Sequence, residues 1–230
     1  MIDLLQKYFP NAYSLGWTGD YGWWAAIVAT IYMTFWSFLI GGALGLVLGL
    51  FLVLTGPGGI IANRYVFWVL DKLVSIFRAF PFIILLAILS GFTKFLVGQQ
   101  IGTTAALVSL SAATFPFFAR QVQVVFSDMD RGVIEAGQAS GATLWDIIKI
   151  YLTEGLPELI RVATVTLISL VGETAMAGAV GAGGLGDMAI NKGFNIFETD
   201  VTIVATVFIL LLIFIIQFTG DFLTRKLSHK

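Results

Sequence analysis

From Trp24 to Leu54 the chain carries no charged residue. A helix needs only about 20 apolar residues to cross a hydrocarbon core of ~30 Å. This run is longer, so as a helix it must tilt or project from the bilayer. The whole chain is 58% hydrophobic and 12% charged, against roughly 45–50% and 25% in soluble domains. A soluble fold of this length has too little interior to hide that much apolar surface. Gly41, Gly45 and Gly49 recur every four residues within the run and predict a smooth face for close helix packing. Thr55-Gly56-Pro57-Gly58-Gly59 ends it.

Further along, apolar stretches predict four more spans. The second covers about Val66 to Leu89, with Pro81 as a kink. The third, about Gly102 to Ala119, is rich in Ser, Thr and Ala and is expected to lie buried among other helices. A polar stretch from Arg120 to Glu158 separates it from the fourth, Leu159 to Val180; the fifth is Val201 to Phe218. The expected fold is therefore an all-α integral membrane protein with five transmembrane helices and one long polar loop between spans three and four. Basic residues choose the orientation. Arg64, Arg120, Arg131, Lys149, Arg161, Arg225, Lys226 and Lys230 fall on one side, joined by Lys72 and Arg78 from the near half of span two. Lys7, Lys94 and Lys192 fall on the other. The N-terminus is expected outside and the C-terminus in the cytoplasm, with Tyr21, Trp23 and Trp24 as an outer interface anchor. Residues 1–22, interrupted by Asp3, Lys7 and Asp20, read as a short tail on the outer membrane surface rather than as a cleaved signal peptide.

Several chemistries drop out. There is no cysteine, and the single histidine, His229, stands near the C-terminus. Thiolate metal sites and histidine catalysis are excluded, and no metal site is expected. A net charge of −1 argues against nucleic acid as a partner. No G-x-x-x-x-G-K-[ST] occurs, so the chain should hydrolyse no nucleotide itself.

One motif invites a different reading. Gly181-Ala182-Gly183-Gly184-Leu185-Gly186 is a literal G-x-G-x-x-G, and Asp200 lies nineteen residues beyond Gly181. A dinucleotide site needs a strand before such a turn and a βαβ unit around it. Here a membrane span precedes it, so the cofactor reading fails. What remains is a tight turn that glycine permits, or a gate beside a transport path, since irregular backbone at membrane depth must be buried or line a cavity.

The long loop is the most informative segment. Small residues cluster at Ala136, Gly137, Ala139, Ser140, Gly141 and Ala142. Thr143-Leu144-Trp145-Asp146 reads as a capping box opening a helix. Leu144, Ile147, Ile148 and Tyr151 form an apolar stripe at helical spacing, and Pro157 marks the start of span four. The pattern predicts a short helix, a glycine-permitted bend and a second helix. Either it docks into a partner's groove or it lies on the membrane as an amphipathic loop.

Glu135-Ala136-Gly137-x3-Gly141 resembles the E-A-A-x3-G coupling motif of the membrane subunits of binding-protein-dependent ABC importers. It departs in two respects: Gly137 stands where alanine is usual, and the later I-x-L-P element is degraded to Tyr151-Leu152-Thr153-Glu154, with Leu156-Pro157 beyond. Phe77-Arg78-Ala79-Phe80-Pro81-Phe82, the run Val180 to Gly186, and Gln217-Phe218-x-Gly220-Asp221 also look like that family. Their combination most resembles the permease branch of the methionine importers, over an importer domain of residues 28–221 with its coupling loop at about 120–158 and a cytoplasmic tail at 222–230.

The resemblance implies a multi-pass protein of the bacterial plasma membrane that moves methionine by alternating access. It implies a second copy of the chain, two cytoplasmic ATPase subunits that bind ATP-Mg, an extracytoplasmic substrate-binding protein or lipoprotein, and surrounding lipid. This chain would be a translocation subunit and not an enzyme, with no cofactor of its own. Glu135, Ala136, Gly137, Gly141 and Ala142 would couple it to the ATPase. Gly181, Gly183, Gly184 and Gly186 would form a gate, with Glu173 and Met176 along the path. Arg78 and Pro81 would mark the span-two motif. Glu173 has a structural alternative, pairing with Arg78, and Met176 one of simple packing. Permeases for glycine betaine, phosphonate or sulfonate share the coupling loop and stand as the alternative function. A membrane-embedded enzyme would have only Glu173, Arg78, Asp71 and Lys72 to work with. A carrier working alone tends to show internal repeats, and none is visible.

Overall fold

A computed structural model describes residues 6–228; the expectations for Asp3, His229 and Lys230 fall outside that range. Among the described residues the fold is built from helices. They are α1 (Pro10–Ser14), α2 (Trp23–Thr55), α3 (Arg64–Ala79), α4 (Phe82–Val97), α5 (Thr103–Ser127), α6 (Arg131–Ala139), α7 (Leu144–Glu154), α8 (Leu156–Ala177), α9 (Gly184–Ile190) and α10 (Thr199–Leu227). A π-helical turn, Gly178–Ala182, follows α8, and a 3₁₀ turn, Phe194–Ile196, follows α9.

The long charge-free run is the 33-residue α2. It buries its small and polar residues, among them Thr30, Ser37, Gly41, Gly45 and Gly49, and turns Ile31, Phe35, Leu39 and Leu44 outward. That inverts the pattern of a water-soluble protein and suits a helix whose outer face meets lipid. The three glycines pack on α5. A Cβ at Gly41 would lie 2.7 Å from the Ser111 carbonyl oxygen, one at Gly45 2.7 Å from that of Phe115, and one at Gly49 2.7 Å from that of Ala119. The partners advance along α5 as the glycines advance along α2. The two helices therefore run in the same direction, and the chain between them must travel back.

It does so through α3 and α4, and here one expectation is corrected. Val66 to Leu89 is not one kinked helix but two: α3 and α4 meet at 105° across Phe80-Pro81. Pro81 forces Phe80 into an extended conformation (φ −75°, ψ 124°) that ends α3, and α4 starts afresh beyond it. Arg78, in the last turn of α3, has its guanidinium 5.8 Å from the Phe117 ring centre.

Three helical segments are long and apolar enough to cross a membrane: α2, α8 continued to Ala182, and α10. The α3–α4 pair makes a fourth if its two arms count as one broken span. Helix α5 has 25 residues but carries Ser109, Ser111 and Thr114 in its buried face. It lies at the centre, against α2, α3, α4 and α8. It also runs past Ala119, where the sequence reading ended the span, through Arg120 to Ser127. The charge that looked like a stop signal is neutralised inside the fold, because the Arg120 guanidinium lies 2.8 Å from the Asp71 carboxylate.

The described part of the N-terminal segment is pinned rather than loose. The Asp200 carboxylate accepts hydrogen bonds from the backbone N–H groups of Asn11 and Ala12, at 2.9 and 3.1 Å, and from the Asn11 side chain. The Trp23 indole N–H donates to the Ala12 carbonyl, and Trp17 and Trp23 pack on Phe208. Asp200, the residue at ribose-binding distance from the glycine motif, thus serves as an anchor for α1. At the other terminus α10 continues to Leu227, so residues 222–227 are helical.

Candidate functional site

Two regions concentrate the residues singled out by sequence, at opposite ends of α8. The first is the connection between α5 and α8. Asp130 caps α6, its side chain accepting from the Gly132 N–H. Helix α6 ends in a Schellman turn: the Gly141 N–H donates to the Gln138 carbonyl and the Ala142 N–H to that of Gly137. Gly141 has φ +78°, a conformation that costs any L side chain, and no atom approaches within 4 Å of where its Cβ would be. Thr143 then caps α7 in a complete capping box with Asp146. The Thr143 hydroxyl beside Asp146 holds that carboxyl below the usual carboxylate range. Ile147 and Tyr151 anchor α7 in the core with Phe126 and Leu159, and burial pushes the Tyr151 phenol up. Gly137 packs α6 on α7: a Cβ there would meet the tip of Ile150 at 2.9 Å. An alanine there requires the Ile150 side chain to shift.

The result is a helical elbow with an open outer surface. Glu135, Ala136, Ala139, Ser140 and Gly141 are exposed, and so are the large side chains Leu144 and Trp145. Behind it lies a cleft of about 300 Å³ between the elbow, the Gly56–Gly59 turn and the end of α5, which Arg131, Glu135 and Gln138 enter together. Sequence reasoning singled out Glu135 but missed the other two. Their i, i+4, i+7 spacing on α6 is the signal that would have found them.

The second region is the break at the far end of α8. Val180 leaves helical geometry, and Gly181, Gly183 and Gly184 all have positive φ. The chain folds back as α9, close against two helices. A Cβ at Gly184 would lie 2.7 Å from the Thr30 hydroxyl, and one at Gly186 would collide with the Ala175 backbone. Breaking a helix frees carbonyls that need partners. The Asn191 amide supplies them, donating to the Gly178 and Ala179 carbonyls while also bonding Asp187. The Leu185 N–H, at the start of α9, donates to Thr30 at 2.8 Å. The glycine motif is therefore a packed, hydrogen-bonded turn, and Asn191 and Thr30 are the residues sequence reading overlooked there. A cavity of about 280 Å³ beside it is lined by Asp20, Tyr21, Gly181, Asp187 and Lys192 among others.

Glu173 and Met176 lie on α8 between the two regions. Val165, Ser169, Gly172, Met176 and Val180 form an exposed stripe along the helix, with Met176 51% exposed. Glu173 borders it, half-buried, and one of its carboxylate oxygens has no hydrogen-bond partner. The expected pairing with Arg78 is not formed among the described residues. The structure thus places the elbow residues together and the glycine-turn residues together. Between them α8 is one continuous 22-residue helix, about 33 Å long.

Residues 43–229 match the family model described as the binding-protein-dependent transport system inner membrane component. The chain is 46% identical over 228 residues to the methionine import system permease protein MetP of Bacillus subtilis (strain 168), covering 99% of this chain and all of that one. It is 44% identical to the probable D-methionine transport system permease protein MetI of Haemophilus influenzae, over 89% of this chain and 97% of that one. Its backbone matches a chain from an inward-facing structure of the MetNI methionine ABC transporter with a TM-score of 0.88 and 41% identity, covering 90% of this chain and 96% of that one.

Proposed function

The chain belongs to the family of binding-protein-dependent transport system inner membrane components, and from that membership we propose that it is the permease subunit of an ATP-driven importer that carries methionine across the bacterial plasma membrane. The observation that carries the substrate is the full-length similarity to methionine import permeases. The mechanism rests on the exposed elbow around Glu135 and Gly141 and on its rigid link through α8 to the glycine turn.

In this reading the chain crosses the membrane five times, by α2, the α3–α4 pair, α5, α8 and α10. The parallel course of α2 and α5 supports that count, since one return crossing must separate them. The positive-inside bias places the elbow in the cytoplasm and the N-terminus outside. Two copies associate, with Glu173, Met176 and the exposed stripe of α8 turned toward the path. Two ATPase subunits bind ATP-Mg and grip the elbow through Glu135, Ala136, Gly137, Gly141 and Ala142. The chain itself holds no cofactor. An extracytoplasmic binding protein delivers substrate near the turn formed by Gly181, Gly183, Gly184 and Gly186. Closure of the ATPase pair moves the elbow, and α8 and α5 pass that movement to the opposite face.

Uptake of labelled L-methionine in cells lacking this gene tests the assignment. Wild-type protein is expected to restore uptake. Unlabelled methionine should compete and glycine betaine should not. Uptake independent of the gene, or competition by betaine, would overturn the substrate.

A further inference from the structure

Helix α3 is the most loosely held long element near the elbow: Val74 is its one fully buried residue. Its contacts with α5 form a single line. Val74 sits with Ala119 and Leu52 in one buried cluster. Phe77 meets Phe115 edge to face at 6.1 Å, and Asp71 meets Arg120 at 2.8 Å. The Arg120 guanidinium does more than pair. It also approaches the Ser75 hydroxyl at 3.1 Å and the Asp71 carbonyl at 3.4 Å, and its other nitrogen donates to Gln123 at 2.6 Å. Both charged side chains are about one-fifth exposed (21% and 23%). Apolar contacts are non-directional and allow sliding. A charge-assisted, multiply bonded guanidinium fixes register.

Its position gives that register a use. Arg120 stands two turns before the end of α5, and only residues 128–130 separate α5 from α6. Both ends of that short link are fixed, by the Asp128 N–H bonded to the Val124 carbonyl and by the Asp130 side-chain cap. Beyond α3, the 105° bend at Pro81 leads into α4, whose Phe82 and Leu86 pack against α5 and α8 residues.

We propose that the Asp71–Arg120 pair is a positioning strut that carries movement of the α6–α7 elbow through α5 into the α3–α4 arm. This rests on the transport reading above. Neither residue touches substrate; they set where α4 goes when the elbow moves.

The test uses the assembled transporter, this permease with its ATPase subunits and binding protein in proteoliposomes. The chain lacks cysteine, so a single introduced cysteine per copy carries one spin label. Labels at Ile88→Cys on α4 and, separately, at Lys149→Cys on α7 report inter-copy distances with and without ATP. In the wild-type background both distances are expected to respond to ATP. Asp71→Asn should abolish the Ile88 response, keep the Lys149 response, and lower methionine uptake about tenfold at retained ATP hydrolysis, a coupling loss of ordinary size. The swap of Asp71→Arg with Arg120→Asp should restore the Ile88 response. An intact Ile88 response in Asp71→Asn overturns the proposal. So does loss of both responses together, because the pair would then only hold the fold. Failure of the unsubstituted protein to take up methionine would count against the transport assignment alone, since the label responses are read with ATP.

Discussion

Gly141 separates two explanations of the elbow by rank order. Its φ of +78° costs an alanine about 1–2 kcal/mol, which is roughly 5- to 30-fold in the population of the bent turn. No steric cost adds to this, since nothing lies within 4 Å of the missing Cβ. Asparagine tolerates the left-handed region better than alanine, yet is bulkier. If the bend itself is what coupling needs, transport should fall in the order Gly141, Gly141→Asn, Gly141→Ala. If close approach of the ATPase surface is what matters, alanine should outperform asparagine. The structure favours the first order, because two hydrogen bonds of the Schellman turn depend on this conformation. The assay is methionine uptake per ATP hydrolysed in proteoliposomes, at matched permease content. Alanine above asparagine, or three equal values, would refute the reasoning.

Two more predictions follow from packing and from charge. Gly49→Leu places its Cβ 2.6 Å from that of Val122, so α2 and α5 must separate; overpacking of this kind costs about 1–3 kcal/mol or more, and a clear fall in the thermal unfolding temperature in detergent is expected, with no change speaking against the close approach. Asp146 is held below the usual carboxylate range first by the Thr143 hydroxyl and then by the Thr143 N–H, so its capping contribution is complete above the ordinary carboxylate value and is lost as pH falls through the lowered one. Protection of the amides at the start of α7, taken relative to their intrinsic exchange rates, should therefore fall only below the ordinary carboxylate value, and Asp146→Asn should remove that dependence; a dependence that survives would place its origin elsewhere.

What the sequence made legible were features written in local spacing. Gly41, Gly45 and Gly49 announce their packing by period. Thr143 and Asp146 announce a helix start, and the six small residues before them announce the bend. What stayed hidden depends on distant partners. Arg120 read as the end of a span because its counter-charge, Asp71, is 49 residues away; with that charge matched, the helix continues. Pro81 read as a kink because Phe80 and Phe82 keep the apolar run unbroken, while the 105° turn is a matter of direction that hydropathy does not encode. Asp200 fell at the spacing of a nucleotide motif by coincidence, and its partners at Asn11 and Ala12 are 189 and 188 residues away. Asn191 gave no signal, since its role exists only once α8 has broken.

The dependence of the broken helix on Asn191 and Thr30 bears on how the chain is made. When the ribosome has delivered α8, the Gly178 and Ala179 carbonyls still await an amide 13 and 12 residues downstream. The Thr30 hydroxyl of the first long helix waits for an N–H 155 residues later, and the face of Gly41, Gly45 and Gly49 waits for α5. The earliest segment to enter the bilayer is thus completed by later ones. A nascent chain stalled before Thr103 would hold its first helix in lipid with the face of Gly41, Gly45 and Gly49 bare, whereas one stalled just before Asn191 would have that face covered and only the Gly178 and Ala179 carbonyls still lacking their amide.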